Sequence, residues 1–143
     1  MKTEKSNFPL NAWYAAAYDV EVGRSLLPRT LCNQKLVLFR KEDGSVAALE
    51  DACWHRLMPL SLGRLQGDEV TCGYHGLVFN AQGRCTHMPS QETLNPSACV
   101  RSFPVQEQYI LSGSGRATRR WRTRSLSPTC TGTTTRPGPV TAR

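Results

Sequence analysis

The sequence predicts an all-β fold, with small antiparallel sheets over residues 1–111 and a disordered tail over residues 112–143. Three observations predict it. Short runs of β-formers are separated by glycine- and aspartate-bearing turns, no segment carries a strong amphipathic helical period, and the composition changes abruptly after Leu111. A chain of 143 residues has room for one modest core, so the ordered part is expected to be a single domain.

Residues 11–18 (NAWYAAAY) are ambiguous, because alanine favours helix and the aromatics favour strand. Residues 35–40 (KLVLFR) and 45–49 (SVAAL) form a strand pair, with Glu42, Asp43 and Gly44 supplying the turn. A second hairpin is expected over residues 76–86 (GLVFNAQGRCT), turning at residues 80–83. Residues 100–105 and 108–111 read as further strands, and Pro104 argues for an edge or a bulge. There is no internal repeat.

Beyond Leu111 the chain has eight Thr, seven Arg and four Ser, and no Ile, Phe, Tyr, Lys, Asp or Glu. Such a segment buries too little apolar surface to offset the entropy of ordering it. It also carries the entire net charge of +7, since residues 1–110 hold eleven basic and eleven acidic side chains. The basic profile therefore belongs to the tail and not to the domain. No nucleic-acid partner is expected from it, although a basic tail in isolation suits phosphate backbones.

The N-terminal MKTEKSNFPL has neither an apolar stretch nor a small-residue cleavage site, and no apolar run approaches bilayer-spanning length. A cytoplasmic protein without a membrane partner is the expectation. In a reducing compartment, six cysteines read as metal ligands or buried thiols more readily than as a disulfide framework.

The chemistry concentrates in two short stretches. Cys53-Trp54-His55-Arg56 is followed by Cys72-Gly73-Tyr74-His75-Gly76, with sixteen residues, Arg56 the first of them, between His55 and Cys72. Each stretch looks like a loop after a strand, and together they present a C-x-H and a C-x2-H pair. Two thiolates on one iron and two imidazoles on the other are what a Rieske-type [2Fe–2S] cluster takes. Cys53, His55, Cys72 and His75 are the predicted ligands, with Gly73 and Gly76 allowing backbone N–H groups to approach the sulfurs. A tetrahedral zinc site also uses two Cys and two His, but its usual arms are longer than C-x-H and end in H-x3–5-H. Cys32, Cys85 and Cys99 read as buried small side chains, Trp13 and Phe79 as core, and His87 as a loop or packing residue. Arg56 and Arg84 read as surface cations, with Arg56 also able to pair with an acid near the loop.

Residues 48–91 (ALEDACWHRLMPLSLGRLQGDEVTCGYHGLVFNAQGRCTHMPSQ), with NAWY before them and FPVQEQY after, resemble the N-terminal Rieske domain of the Rieske non-haem iron oxygenases. Within that family the chain is most similar to phthalate-type enzymes such as the oxygenase component of vanillate O-demethylase. Trp54 departs from the proline found between Cys and His in many members. The resemblance implies a Rieske-type arrangement with the cluster loops at one tip. It implies an electron relay from a flavin- or iron–sulfur-containing reductase to a mononuclear iron, in an assembly that is often a homotrimer. It also places His55 and His75 at an exposed edge, where ring N–H groups couple electron and proton movement. A free-standing Rieske ferredoxin is the alternative, and the NAWY and FPVQEQY segments favour an oxygenase piece.

The mononuclear iron needs two His and a carboxylate. With two of its three histidines spent on the cluster and no acid after Glu107, this chain is expected to lack that centre and to carry no catalytic residue of its own. The tail suggests why. The resemblance implies a strand reading roughly WVW and then GD after Leu111, where the sequence has SGSGRATRRWRTRS. If one base is restored after the Leu111 codon, the observed residues largely fix the second and third bases of each new codon and leave the first free. The chain can then read LVWVWPGDPALADPEPEPDLHWNDDPAWA. A tail translated out of frame is the expectation, against the alternative of a disordered basic segment.

Overall fold

The computed structural model describes residues 8–9, 12–89, 91–111 and 117–124. Three antiparallel sheets make up the fold. The first has the order β1 (Trp13–Tyr18), β11 (Ala117–Arg124), β10 (Val105–Leu111). The second runs β2 (Leu27–Leu31), β3 (Gln34–Arg40), β4 (Val46–Glu50), β9 (Ser102–Phe103). The third runs β5 (Arg64–Gln66), β6 (Glu69–Thr71), β7 (Val78–Phe79), β8 (Cys85–His87). Among the described residues only two single-turn 3-10 segments, Asp19–Glu21 and Leu60–Leu62, are helical, and no helix is long and apolar enough to cross a membrane.

The expected β3–β4 hairpin forms, with Phe39 opposite Ala47 and Arg40 opposite Val46. Its strands are apolar on both faces because both faces are covered, as a continuous apolar run implies. Val37, Phe39, Ala47 and Leu49 share a core with Val70 and Phe79 of the third sheet and with Leu77 just before β7. Leu36, Leu38, Val46 and Ala48 pack with Ala16 and Ala17 of β1. Burial of each large aliphatic or aromatic side chain here contributes about 1.5–3 kcal/mol. The second sheet is thus the central layer, and the third sheet rides on it.

Residues 11–18 resolve toward strand: β1 carries a register shift between Ala15 and Ala17, with both Ala16 and Ala17 buried. Pro104 divides β9 from β10, and the chain crosses there from the second sheet to the first. The second expected hairpin forms as β7–β8. The structure adds β2, β5 and β6. Pro28 is tolerated in β2 because β2 is an edge strand. The β2–β3 connection is the two-residue pair Cys32–Asn33, both at positive φ (50° and 62°), as a hairpin turn of the primed type requires.

Within the Arg/Thr-rich tail, the segment Ala117–Arg124 is a strand, paired on one side with β10 and on the other with β1. The sequence reading expects no regular structure there. This strand completes backbone hydrogen bonds that β1 and β10 would otherwise leave open. The rest of the expected tail, residues 112–116 and 125–143, lies outside the described residues.

The third sheet is tied to the central one by Arg24. Its guanidinium donates to the Arg40 carbonyl (2.9 Å), the Gly67 carbonyl (2.6 Å) and Asp68 Oδ1 (3.2 Å), and Asp68 Oδ1 also accepts the Glu42 N–H (2.8 Å). The β3–β4 and β5–β6 turns are joined by the Arg24 and Asp68 side chains together.

Candidate metal centre

The first loop leaves β4, and the second leaves β6; each is closed in the same way. The Cys53 N–H donates to the Met58 carbonyl (2.8 Å), and the Leu57 N–H returns to the Cys53 carbonyl (2.8 Å). In the second loop the Cys72 N–H donates to the Leu77 carbonyl (2.8 Å), and the Gly76 N–H returns to the Cys72 carbonyl (3.1 Å). The residue four places after each cysteine is left-handed, Leu57 at φ 55° and Gly76 at φ 71°. Glycine meets that need without strain, whereas leucine does not.

This closure turns the cysteines inward and the histidines outward. Cys53 and Cys72 are 1% and 2% exposed, and their thiols lie against each other within hydrogen-bonding reach. Burial pushes the Cys53 thiol up to about 11, and the neighbouring Cys72 thiol acts in the same direction. The backbone N–H groups of His55 and Arg56 donate to the Cys53 sulfur and pull the other way. A metal would reverse the balance, because a coordinating thiol is deprotonated outright.

His55 and His75 are both exposed. Their Nδ1 atoms lie 3.0 Å apart, with ring centroids at 4.5 Å and planes inclined by 68°. Two imidazole nitrogens on one tetrahedral metal, at about 2.0–2.1 Å from it, would be separated by roughly 3.3 Å. The pair is therefore nearly set for a shared ion. Partial desolvation, then the nearby His55 and Arg56, lowers the His75 pKa, which favours the neutral ring that a metal needs. The Tyr74 ring leans on His75 at 3.9 Å. Between the loops lies a cavity of about 170 Å³, walled by Trp54, the two imidazoles, Leu77, Met88 and Pro89.

All four predicted ligands thus come together, as a buried sulfur pair and an exposed nitrogen pair. Among the described residues no three or more His, Cys, Asp or Glu side chains gather around one point, as they would around a single ion. Trp54 lies at the surface rather than over the core. Arg56 makes no ion pair among the described residues, so the reading of an acid partner is not met. His87 is exposed on β8, and Phe79 is wholly buried, whereas Trp13 is half-buried. The expectation that Cys32, Cys85 and Cys99 are buried is corrected: all three are half-buried. Cys32 occupies a turn, Cys85 lies on the edge strand β8, and Cys99 is disulfide-bonded.

The sequence reading missed Asp51 and Ser61. Asp51 is 6% exposed, and its carboxylate accepts the Ser61 N–H and the Ser61 hydroxyl, both at 2.7 Å. The residues stand in the ALED and PLSLG motifs, but their spacing of ten carries no periodic signal.

The Rieske [2Fe–2S] domain family matches residues 12–104. A toluene-4-sulfonate monooxygenase system iron–sulfur subunit of Comamonas testosteroni, itself named as putative, is 50% identical over 101 residues, which are 71% of this chain and 29% of that one. The vanillate O-demethylase oxygenase subunit of Pseudomonas sp. (strain HR199 / DSM 7063) is 43% identical over 102 residues, 71% of this chain and 28% of the relative. A crystal structure of dicamba monooxygenase bound to dicamba superposes with a TM-score of 0.71 at 39% identity, covering 82% of this chain and 35% of the other. The chain spans less than a third of the length of those curated relatives.

Proposed function

The chain belongs to the Rieske [2Fe–2S] domain family, and from that premise we propose that it is the electron-transfer module of an aromatic, vanillate O-demethylase-like oxygenase, holding its cluster through Cys53, His55, Cys72 and His75. The observation that carries the ligand assignment is the sorting of donors, with the thiols buried together and the imidazole Nδ1 atoms 3.0 Å apart at the surface. A zinc ion would draw all four donors around one point. The sorting into pairs favours two irons instead.

A bound cluster supplies one-electron chemistry. This chain's part is to fix that chemistry's potential and direction. The N–H groups of His55 and Arg56, aimed at the Cys53 sulfur, stabilise added negative charge. The buried thiols keep water from the sulfur side, and the exposed imidazoles offer the short way out to a partner. A flavin- or iron–sulfur-containing reductase would deliver electrons there, in the cytoplasm. The acceptor would be a mononuclear iron whose two-His, one-carboxylate site this chain does not contain, in an assembly that is homo-oligomeric, often trimeric. The tail after Leu111 is read as translated out of frame, a reading supported by the abrupt change there from a charge-balanced stretch to one with seven Arg and no acidic residue; a basic, disordered segment is the alternative.

The test is anaerobic reconstitution of the chain with iron and sulfide, followed by mixing with a reductase of this class and its reduced nicotinamide donor. The expected result is two irons and two acid-labile sulfides per chain and bleaching of the visible absorbance on reduction. Retention of a single zinc, with no sulfide, would refute the assignment.

A further inference from the structure

We propose that Asp51 and Ser61 form a clamp that sets the spacing of the two ligand loops, and thereby the geometry of the cluster they hold. The proposal rests on the ligand assignment above and concerns residues that assignment does not use.

Asp51 is fixed to the central sheet, because its N–H donates to the Lys35 carbonyl on β3 at 2.9 Å. Its nearly buried carboxylate has no Lys or Arg partner among the described residues. Both oxygens are satisfied by one residue: Oδ1 accepts the Ser61 N–H and Oδ2 accepts the Ser61 hydroxyl. A buried carboxylate without a cation is tolerated only where its hydrogen bonds are kept, so the grip on Ser61 is obligatory.

Ser61 lies in the single turn Leu60–Leu62, and the residues that follow press on the second loop. A side chain at Gly63 would collide with the Thr71 carbonyl, and the Leu62 carbonyl oxygen is 3.0 Å from where a Cβ of Gly73 would stand. Thr71 and Gly73 flank Cys72, while Asp51 precedes Cys53 by two residues. The segment 61–63 is therefore a spacer, held by a carboxylate at the first loop and wedged without slack against the second. The absent side chains at Gly63 and Gly73 are what let it fit so closely. Groups that orient ligands without touching metal govern affinity and potential through small displacements, and Asp51 and Ser61 are positioning residues of this kind.

The experiment reconstitutes the full chain and four variants, Asp51→Ala, Asp51→Asn, Ser61→Ala and Ser61→Thr. It reads the electron paramagnetic resonance spectrum after dithionite reduction and the half-life of the visible absorbance under an iron chelator. Asp51→Ala and Ser61→Ala are expected to lose the cluster roughly tenfold faster or more and to shift or broaden the signal. Asp51→Asn keeps an acceptor for the Ser61 N–H and a donor for its hydroxyl oxygen, and Ser61→Thr keeps the hydroxyl. Both should return the unsubstituted line shape. An unchanged signal and half-life in Ser61→Ala and Asp51→Ala would overturn the proposal, as would Asp51→Asn behaving like Asp51→Ala, since charge rather than spacing would then be at work. If Asp51→Ala does not fold, Ser61→Ala against Ser61→Thr decides. No Rieske-type signal from the unsubstituted chain would overturn the ligand assignment, and this proposal with it.

Discussion

At the scale of single residues, the two loops solve one backbone problem with different side chains. Gly76 takes its φ of 71° freely, but Leu57 at φ 55° is a non-glycine residue in the left-handed region, and it is 75% exposed. A left-handed non-glycine residue costs about 1–2 kcal/mol, against about 0.5–1 kcal/mol of extra unfolded-chain entropy for glycine. Little burial is lost on truncation. Leu57→Gly is therefore expected to stabilise the chain by about 0.5–1 kcal/mol, seen as a higher midpoint of thermal unfolding. A lower midpoint would mean that the leucine side chain makes a contact stronger than its exposure implies. The four residues proposed as ligands stand out in the sequence by their spacing, and the structure brings them together as a buried cysteine pair and a surface histidine pair. The Asp51–Ser61 pair was not legible there, since a side chain reaching across ten residues leaves no pattern in one sequence.

At the scale of elements, legibility followed the strength of the local signal. The β3–β4 hairpin was readable from its continuous apolar runs and Asp-Gly turn. β2 was obscured by Pro28 and by a Cys-Asn turn without glycine, and the three-residue strands β5 and β6 are too short to show a period. In the β3–β4 turn, Asp43 accepts the Ser45 hydroxyl (2.6 Å) and N–H (2.9 Å), and Lys41 Nζ donates to its other oxygen (3.1 Å). These bonds, the Ser45 hydroxyl first, hold its carboxyl down from 3.8 to about 2. A depressed carboxyl contributes stability above its unfolded value and loses it as pH falls through the folded value. Asp43→Ala should therefore unfold at a lower temperature than the parent at neutral pH. The gap should close between about pH 4 and pH 2. A gap constant through that window would place the turn's contribution elsewhere.

At the scale of the whole molecule, the proposed loss of a base after Leu111 would account for both the charge asymmetry and the Arg/Thr-rich composition of residues 112–143. Residues 1–110 are charge-balanced, and every uncompensated cation follows them. The strand Ala117–Arg124 was not legible because its pairing is dictated by open neighbours, β1 and β10, rather than by its own composition. Sequencing of the gene should reveal a downstream frame that, with one base restored, continues through a two-His, one-carboxylate motif. A downstream frame with no such motif would contradict the frameshift. Nor should the present chain consume dioxygen with vanillate-like aromatics when supplied with reductase and nicotinamide donor, although it should accept the electrons.

The central claim is the sorted donor set, two buried thiols and two surface imidazoles. Its most direct test is the electron paramagnetic resonance spectrum of the dithionite-reduced, reconstituted chain, with a redox titration of the same signal. The account predicts a Rieske-type signal with a midpoint between about −150 and +300 mV, where imidazole ligation holds such clusters. No signal, or an all-thiolate signal titrating near about −400 mV, would contradict it.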